Sequence, residues 1–450
     1  METPILDFIK KYKESKPIRL HMPGHKGKRF LGAEDLDVTE IDGADVLYSS
    51  NGIIEKSQQN AASLFGTRTT LYSCEGSSLS IRAMLYLALL TGNGASKTIL
   101  ATRNAHRVFM TAAAMLDFHV EWIYSQSNQN IITCELSAEF LDEKLTQMST
   151  KPVAVYVTSP DYLGNVADIA AISKICHKHN VLLICDNAHG AYRNFLPTPQ
   201  HPIALGADMC CDSAHKTLPA LTGGAYLHIS KNAPLILSEK AKKAMALFAS
   251  TSPSYLILQS LDMVNSYLCK EYKDNLAKCI VRIKKLKENL IHKGFSIVGN
   301  EELKLTIAPK SYGYSGFDIA YYLASENIVC EFSDPDFIVL MFSPEIDQEE
   351  FEKLERVLLQ IQKREAIISE PPHYQLAKKV MSPRDAVFSL SEIIPVELSV
   401  GRTLACDNVS CPPAIPIVVC GEEINQSALE LFNYYGITEV EVITNQKIEI

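Results

Sequence analysis

The chain has 450 residues, 47% of them hydrophobic and 21% charged, with twelve cysteines and a formal net charge of −9. That size and apolar share support two or three domains with buried cores and exclude a disordered or collagen-like chain. The acidic balance argues against a nucleic-acid partner, which needs clustered Lys and Arg to displace counterions, and mildly favours cationic small molecules.

Taken in chain order, the opening METPILDFIKKYKESK lacks the roughly 7–15-residue apolar stretch of a secretory leader, and the longest apolar run, around residues 83–90, is far short of a membrane span. A cytosolic protein with no membrane partner is therefore expected. Residues 1–66 read as an N-terminal segment. From about residue 70 to 230, short β-branched runs alternate with longer helical patterns, which predicts a mostly parallel sheet covered by helices in a large α/β domain over 67–294. Predicted strands are TTLYS and residues 97–102, 119–124, 152–158, 181–186, 207–212 and 224–228. One crossover helix is especially legible, with Asp168 as its N-cap, Ile169, Ile172, Ile175 and Cys176 on one face, and Asn180 closing it before the run VLLIC. A long helical pattern follows Tyr255 to about Lys293. The runs GFSIVG, KLTIA and FIVLMF, with helices between them, predict a smaller α+β domain over 295–370. The pair Pro371–Pro372 is expected to end the last long helix, and residues 371–450 read as a C-terminal domain with a proline-rich turn, CPPAIP.

The cysteines are scattered, no CxxC occurs, and Cys185, Cys210 and Cys211 sit in strand-like apolar runs, so reduced, buried thiols are expected. Cys406, Cys411 and Cys420 have neither a neighbouring histidine nor zinc spacing, and no metal is expected there.

The strongest chemical signal is CCDSAHKTLPALTGG, where a buried strand ends and presents Ser213, His215 and Lys216. A lone lysine on a loop is ordinarily solvated, but beside a strand end in apolar surroundings its amine can be freed for Schiff-base chemistry. Asp186 closes the strand VLLIC, at the carboxyl end where open α/β sheets bind ligands, and a carboxylate there can keep a pyridine nitrogen protonated. The turn Cys74-Glu75-Gly76-Ser77-Ser78 opens a helix with small residues and hydroxyls, as a phosphate site does and as ordinary capping also does. His106, after the next strand, is placed to stack on a flat ring, although an isolated histidine is more often structural. Phosphate, flat ring, protonated ring nitrogen and aldehyde are together met by pyridoxal 5′-phosphate (PLP).

These residues resemble the Orn/Lys/Arg decarboxylases, fold-type-I PLP enzymes acting on basic amino acids. The likeness runs through HMPGHKG (21–27), DVTEIDGADVLYSSNGIIEKSQQNAASLFG (37–66), RNAHR (103–107), TSPDYLGNVADI (158–169), the segment from Asp186, SAHKTLPALT (213–222), STSPSYL (250–256), GFDIAYYLASENIVCEFSDPDFIVL (316–340) and CPPAIPI. The resemblance implies that Lys216 holds PLP, Asp186 pairs with its ring nitrogen, and His106 stacks on the ring. It further implies that Gly76, Ser77, Ser78, Ser213 and His215 surround the phosphate, and that His189 flanks the substrate side of the ring. Glu331 matches an acidic position near the distal end of a basic amino acid substrate. Thr251 and Ser252 are implied to reach the cofactor of a neighbouring subunit in a homodimer. The implied reaction is decarboxylation to the amine and CO2, feeding polyamine-type metabolism. The chain departs from the usual family pattern at Glu75, Ser80, Ile81, Asp161, Leu163, Asn187 and Ala414. It begins without the receiver-like domain of larger members, so their decameric assembly is not expected. Two alternatives stay open on the residues alone: another PLP reaction on the same scaffold, such as transamination or elimination, and a catalytically weak PLP-binding homologue.

Overall fold

Seven short strands alternate with helices, as the periodicity requires: β1 (Thr69–Ser73), β2 (Thr98–Thr102), β3 (His119–Ile123), β4 (Ala154–Thr158), β5 (Leu182–Asp186), β6 (Met209–Asp212) and β7 (Ala225–Ile229). The structure is a computed structural model describing residues 1–92, 96–125, 133–406, 410–411 and 415–444. The strands form one sheet in the order β1-β7-β6-β5-β4-β2-β3. Neighbours β2 and β3, and β5 and β6, run parallel, while β7 is antiparallel to both β1 and β6. Strands β6 and β7 are buried along their whole length, which is why MCCD and AYLHI read as apolar runs rather than alternating ones.

The chain divides into two compact units. The first comprises Met1–Ser96, Asp142–Val155 and Asp168–Lys278. Its helix Ile169–Lys178 buries Ile169, Ile172, Ser173 and Cys176, the i, i+3, i+4, i+7 stripe, while Ile175 is half-buried. The Asp168 carboxylate accepts from Ala171 N at 3.0 Å, and Asn180, at φ 56°, turns the chain so that Val181 N donates back to Cys176 O at 2.9 Å. The N-terminal helix Pro4–Glu14 takes its cap from elsewhere: buried Asp262 accepts from Ile5 N and Leu6 N at 2.9 and 3.0 Å.

The second unit comprises Lys97–Leu141, Tyr156–Ala167 and Cys279–Ile450. Strands β8 (Ser296–Val298), β9 (Lys304–Ala308), β10 (Phe332–Ser333) and β11 (Ile338–Met341) make a four-stranded antiparallel sheet in the order β10-β11-β9-β8. A core that includes Val339, Leu404, Ile417, Val418, Phe432 and Val442 draws the C-terminal residues into this unit.

Two expectations are corrected. The helical pattern after Tyr255 is two helices, Tyr255–Lys270 and Tyr272–Lys293, interrupted at Glu271, and the interruption coincides with Tyr272, which is fully buried edge-on to Phe195. The helix Gln348–Gln360 ends well before Pro371. Ile361 continues in extended conformation with its side chain buried, and Arg364 N and Ile367 N then donate to Tyr312 O and Lys310 O, so tertiary hydrogen bonds replace helical ones. In CPPAIP, residues 412–414 lie outside the described residues. Among the described residues no helix is long and apolar enough to cross a membrane.

Candidate active site

Within the first unit, β6 ends at Asp212 and a single helical turn, Ala214–Thr217, follows at once. That turn places the half-buried Lys216 beside the strand end, with Nζ 3.0 Å from His189 Nε2. His215 is held twice to one carbonyl, its backbone N and its ring Nδ1 both donating to Gly224 O at 3.1 and 3.0 Å, which puts the ring proton on Nδ1. The neighbouring strand β5 ends at Asp186, only 3% exposed, which accepts from Ala188 N at 3.2 Å and from the Cys211 thiol at 3.5 Å.

The turn between β1 and the helix Gly76–Thr91 is shaped by its own side chain: Glu75 N donates to Ser73 Oγ at 3.0 Å, and Ser73 Oγ donates to Gly76 O at 2.8 Å. Gly76 adopts φ 68°, and no atom lies within 4 Å of where its Cβ would be, so glycine is needed here for the backbone and leaves open space beside it. Ser213 Oγ donates to Ser77 Oγ at 2.8 Å, joining the end of β6 to the first turn of this sixteen-residue helix. Ser77 and Ser78 are half-buried at its N-terminus, where backbone N–H groups and the helix dipole favour an anion. Glu75 Oε1 accepts from Ser250 N at 2.7 Å, and Ser252 N donates to Ser250 Oγ at 3.1 Å, leaving Thr251 and Ser252 exposed.

His106 and Glu331 belong to the second unit. His106 caps the helix Arg107–Leu116, its Nδ1 accepting from Val108 N at 3.2 Å, which leaves the ring proton on Nε2. Glu331 is exposed, and the Tyr162 hydroxyl donates to its Oε1 at 3.0 Å.

Sequence reasoning passed over three features. Tyr162 is one, with no signal beyond its place in the TSPDYLG motif. Arg103 is another: fully enclosed, it donates to Pro416 O and Ile417 O at 2.7 and 3.0 Å and lies over the Trp122 ring, so the RNAHR and CPPAIPI motifs are physically joined. The third is a buried cluster around Asp212, visible in sequence only as an acid next to SAHK. Of the three cysteines set aside as non-ligands, Cys406 donates to Glu441 Oε2 at 2.7 Å, Cys420 is buried, and the Cys411 side chain lies outside the described residues.

A primary amine at one strand end, a buried carboxylate at the next, and hydroxyls with an open glycine at a helix N-terminus are the donor set that PLP requires. They define a fold-type-I PLP-dependent enzyme. Residues 3–307 match the family model described as "Orn/Lys/Arg decarboxylase, major domain", and the chain belongs to that family of PLP-dependent basic amino acid decarboxylases. It is 29% identical to the arginine decarboxylase of Bacillus subtilis over 94% of this chain and 92% of the relative, and 28% identical to that of Halalkalibacterium halodurans over 95% and 92%. The lysine decarboxylase of Francisella novicida shares the fold, with a TM-score of 0.80 at 18% identity over 98% of this chain and 81% of that one.

Proposed function

We propose that this chain decarboxylates a long basic amino acid, arginine before lysine and ornithine, in the cytoplasm, and that the amine feeds polyamine-type metabolism. The observation that carries the reading is Lys216 Nζ, 3.0 Å from His189 Nε2, at the end of the strand beside the one that ends in Asp186. Arginine is put first because relatives of that name align over nearly the whole of both chains.

PLP bound here supplies an electron sink for the pair left on the α-carbon when CO2 departs. Lys216 would hold the cofactor through its aldehyde carbon, and His189 Nε2, at hydrogen-bond distance, would share the proton of that amine. Asp186 would keep a proton on the ring nitrogen. Gly76, Ser77, Ser78, Ser213 and His215 would take the phosphate, with the first-turn amides of the helix behind them. His106 is read as the stacking residue and Glu331 as the reader of the distal cation, its carboxylate oriented by Tyr162. Thr251 and Ser252 are read as completing the site of a second copy, since both are exposed on a loop anchored at Ser250. We retain the division into a segment 1–66 and domains 67–294, 295–370 and 371–450 as the functional one.

The test is to incubate the purified protein with PLP and arginine, lysine or ornithine in turn and identify the product, then to reduce with borohydride and map the labelled peptide. Agmatine from arginine and a label on Lys216 are expected. A keto acid in place of an amine, or a label on another lysine, overturns the reading.

A further inference from the structure

At the strand end that precedes Lys216 lies a buried acid to which the roles above assign nothing. Asp212, the last residue of β6, is fully buried, and three side chains donate to it. Its Oδ1 accepts from Asn187 Nδ2 at 2.7 Å, and its Oδ2 accepts from His201 Nε2 at 2.9 Å and His228 Nε2 at 3.1 Å. His228 Nδ1 meets Thr70 Oγ1 at 2.8 Å, which meets Thr67 Oγ1 at 2.7 Å. Burial opposes the charge on Asp212, but His201 and His228 outweigh it and hold the carboxyl well below the usual range, while burial pushes His228 down. His201, Cys210 and Asp212 also have the composition of a metal site. The separations of 2.9 and 3.1 Å are hydrogen-bond distances, however, and three donors account for the carboxylate without an ion.

The position of this acid is its significance. Asn187 directly follows Asp186 and stands two residues before His189. Its backbone N donates to Cys211 O at 3.0 Å, its carbonyl accepts from Gly190 N at 2.8 Å, and its side chain reaches Asp212. Main chain and side chain together thus bind the turn leaving β5 to the end of β6. Asp212 in turn precedes Ser213, which donates to Ser77 at the helix N-terminus. A core needing only to fill space here would be served as well by apolar residues, because a buried carboxylate is costly to desolvate and its worth lies in specifying one arrangement.

We infer that Asn187 and Asp212 are a positioning pair that sets the β5 turn, and with it the aim of Asp186 and His189, against the segment carrying Ser213 and Lys216. The inference rests on the reading that Lys216 and Asp186 hold PLP. It requires a donor at 187: the amide supplies one, whereas an acid there would set two carboxylates against each other.

The test uses purified full-length protein, with far-UV circular dichroism and thermal unfolding as controls for folding, and PLP affinity and the visible dichroism of bound PLP as readouts. Asn187→Asp is expected to fold, to bind PLP more weakly by a factor on the order of ten, and to show a diminished visible band. The exchange Asn187→Asp with Asp212→Asn restores an amide–carboxylate bond with its ends reversed, and is expected to recover most of the affinity and the band. If Asp212 served only to satisfy the two histidines, the exchange would recover nothing, and that result overturns the proposal. Wild-type affinity and dichroism in Asn187→Asp overturn it equally. Should a charged variant fail to fold, Asn187→Leu decides the matter: unchanged PLP binding and band there refute the pair's role. A wild-type protein that shows no PLP band refutes the cofactor reading itself, and the inference with it.

Discussion

Burying a carboxylate demands donors, and Asp186 at 3% exposure has the Ala188 amide and the Cys211 thiol on its Oδ1. If it also holds the proton of the PLP ring nitrogen, Asp186→Asn should keep part of its cofactor while kcat falls by roughly 10–100-fold, the worth of a charge-assisted hydrogen bond. Near-wild-type kcat in steady-state assays would remove that role. Glu331 presents the opposite situation: exposed and bonded to Tyr162, it offers a screened charge, so Glu331→Gln should raise KM for the basic substrate by only about two- to fivefold and leave the PLP absorbance intact. A change in kcat without a change in KM would contradict the assignment. Asp161 carries a pH dependence. Burial raises its carboxyl to about 6, against the donors of Asn165 and the charge of Lys304. Its unfolded value is near 3.9, so between about pH 4 and 6 the folded chain keeps a proton that the unfolded chain has lost, and stability falls as pH rises through that window. Asp334, also raised to about 6 by burial, adds a dependence of the same sign. Asp161→Asn should therefore flatten the dependence between pH 4 and 6 and gain on the order of 1–3 kcal/mol at neutral pH. Urea unfolding at several pH values reads this out, and a slope equal to wild type would refute it.

At the scale of elements, the helix Ile169–Lys178 is where local rules suffice. Asp168 caps it, the buried stripe has helical spacing, and Asn180 turns the chain out of it. Asp168→Ala should cost about 1 kcal/mol by chemical denaturation, with no effect on PLP binding. A loss below a few tenths of a kcal/mol would show the cap to be idle. The helix Gln348–Gln360 shows the limit of such rules. Its pattern gives no reason to stop before Pro371, yet it stops at Gln360 because Ile361 is drawn into the core and the following backbone pairs with the turn Pro309–Tyr312. The break at Glu271 is of the same kind, set by the burial of Tyr272 against partners distant in sequence.

At the scale of the whole molecule, the proposed sharing of the site between copies has a direct test. If Thr251 and Ser252 complete the site of a second chain, mixing Lys216→Ala chains with Thr251→Ala/Ser252→Ala chains should restore activity that neither has alone, because one of the two composite sites in each heterodimer is whole. A loop that serves only its own chain leaves both sites damaged. The structure supplies the competing observation: Ser254 of the same loop accepts from Ile257 N and caps its own helix, so part of this motif is local turn chemistry.

The sequence by itself determined the alternation that makes an α/β sheet, the strand ends at Asp186 and Asp212, the lysine that follows, and the small-residue turn at Gly76. Each depends on neighbours within a few residues, through burial of a short apolar run or the φ freedom of a glycine. Only the tertiary structure decided that Lys216 lies against His189, that Ser213 reaches Ser77, that Tyr162 holds Glu331, and that Asp212 gathers Asn187, His201 and His228. Those pairings join residues between 11 and 169 positions apart, and no local pattern encodes them. They exist because folding brings side chains remote in sequence together, and their polar atoms then satisfy one another's hydrogen bonds.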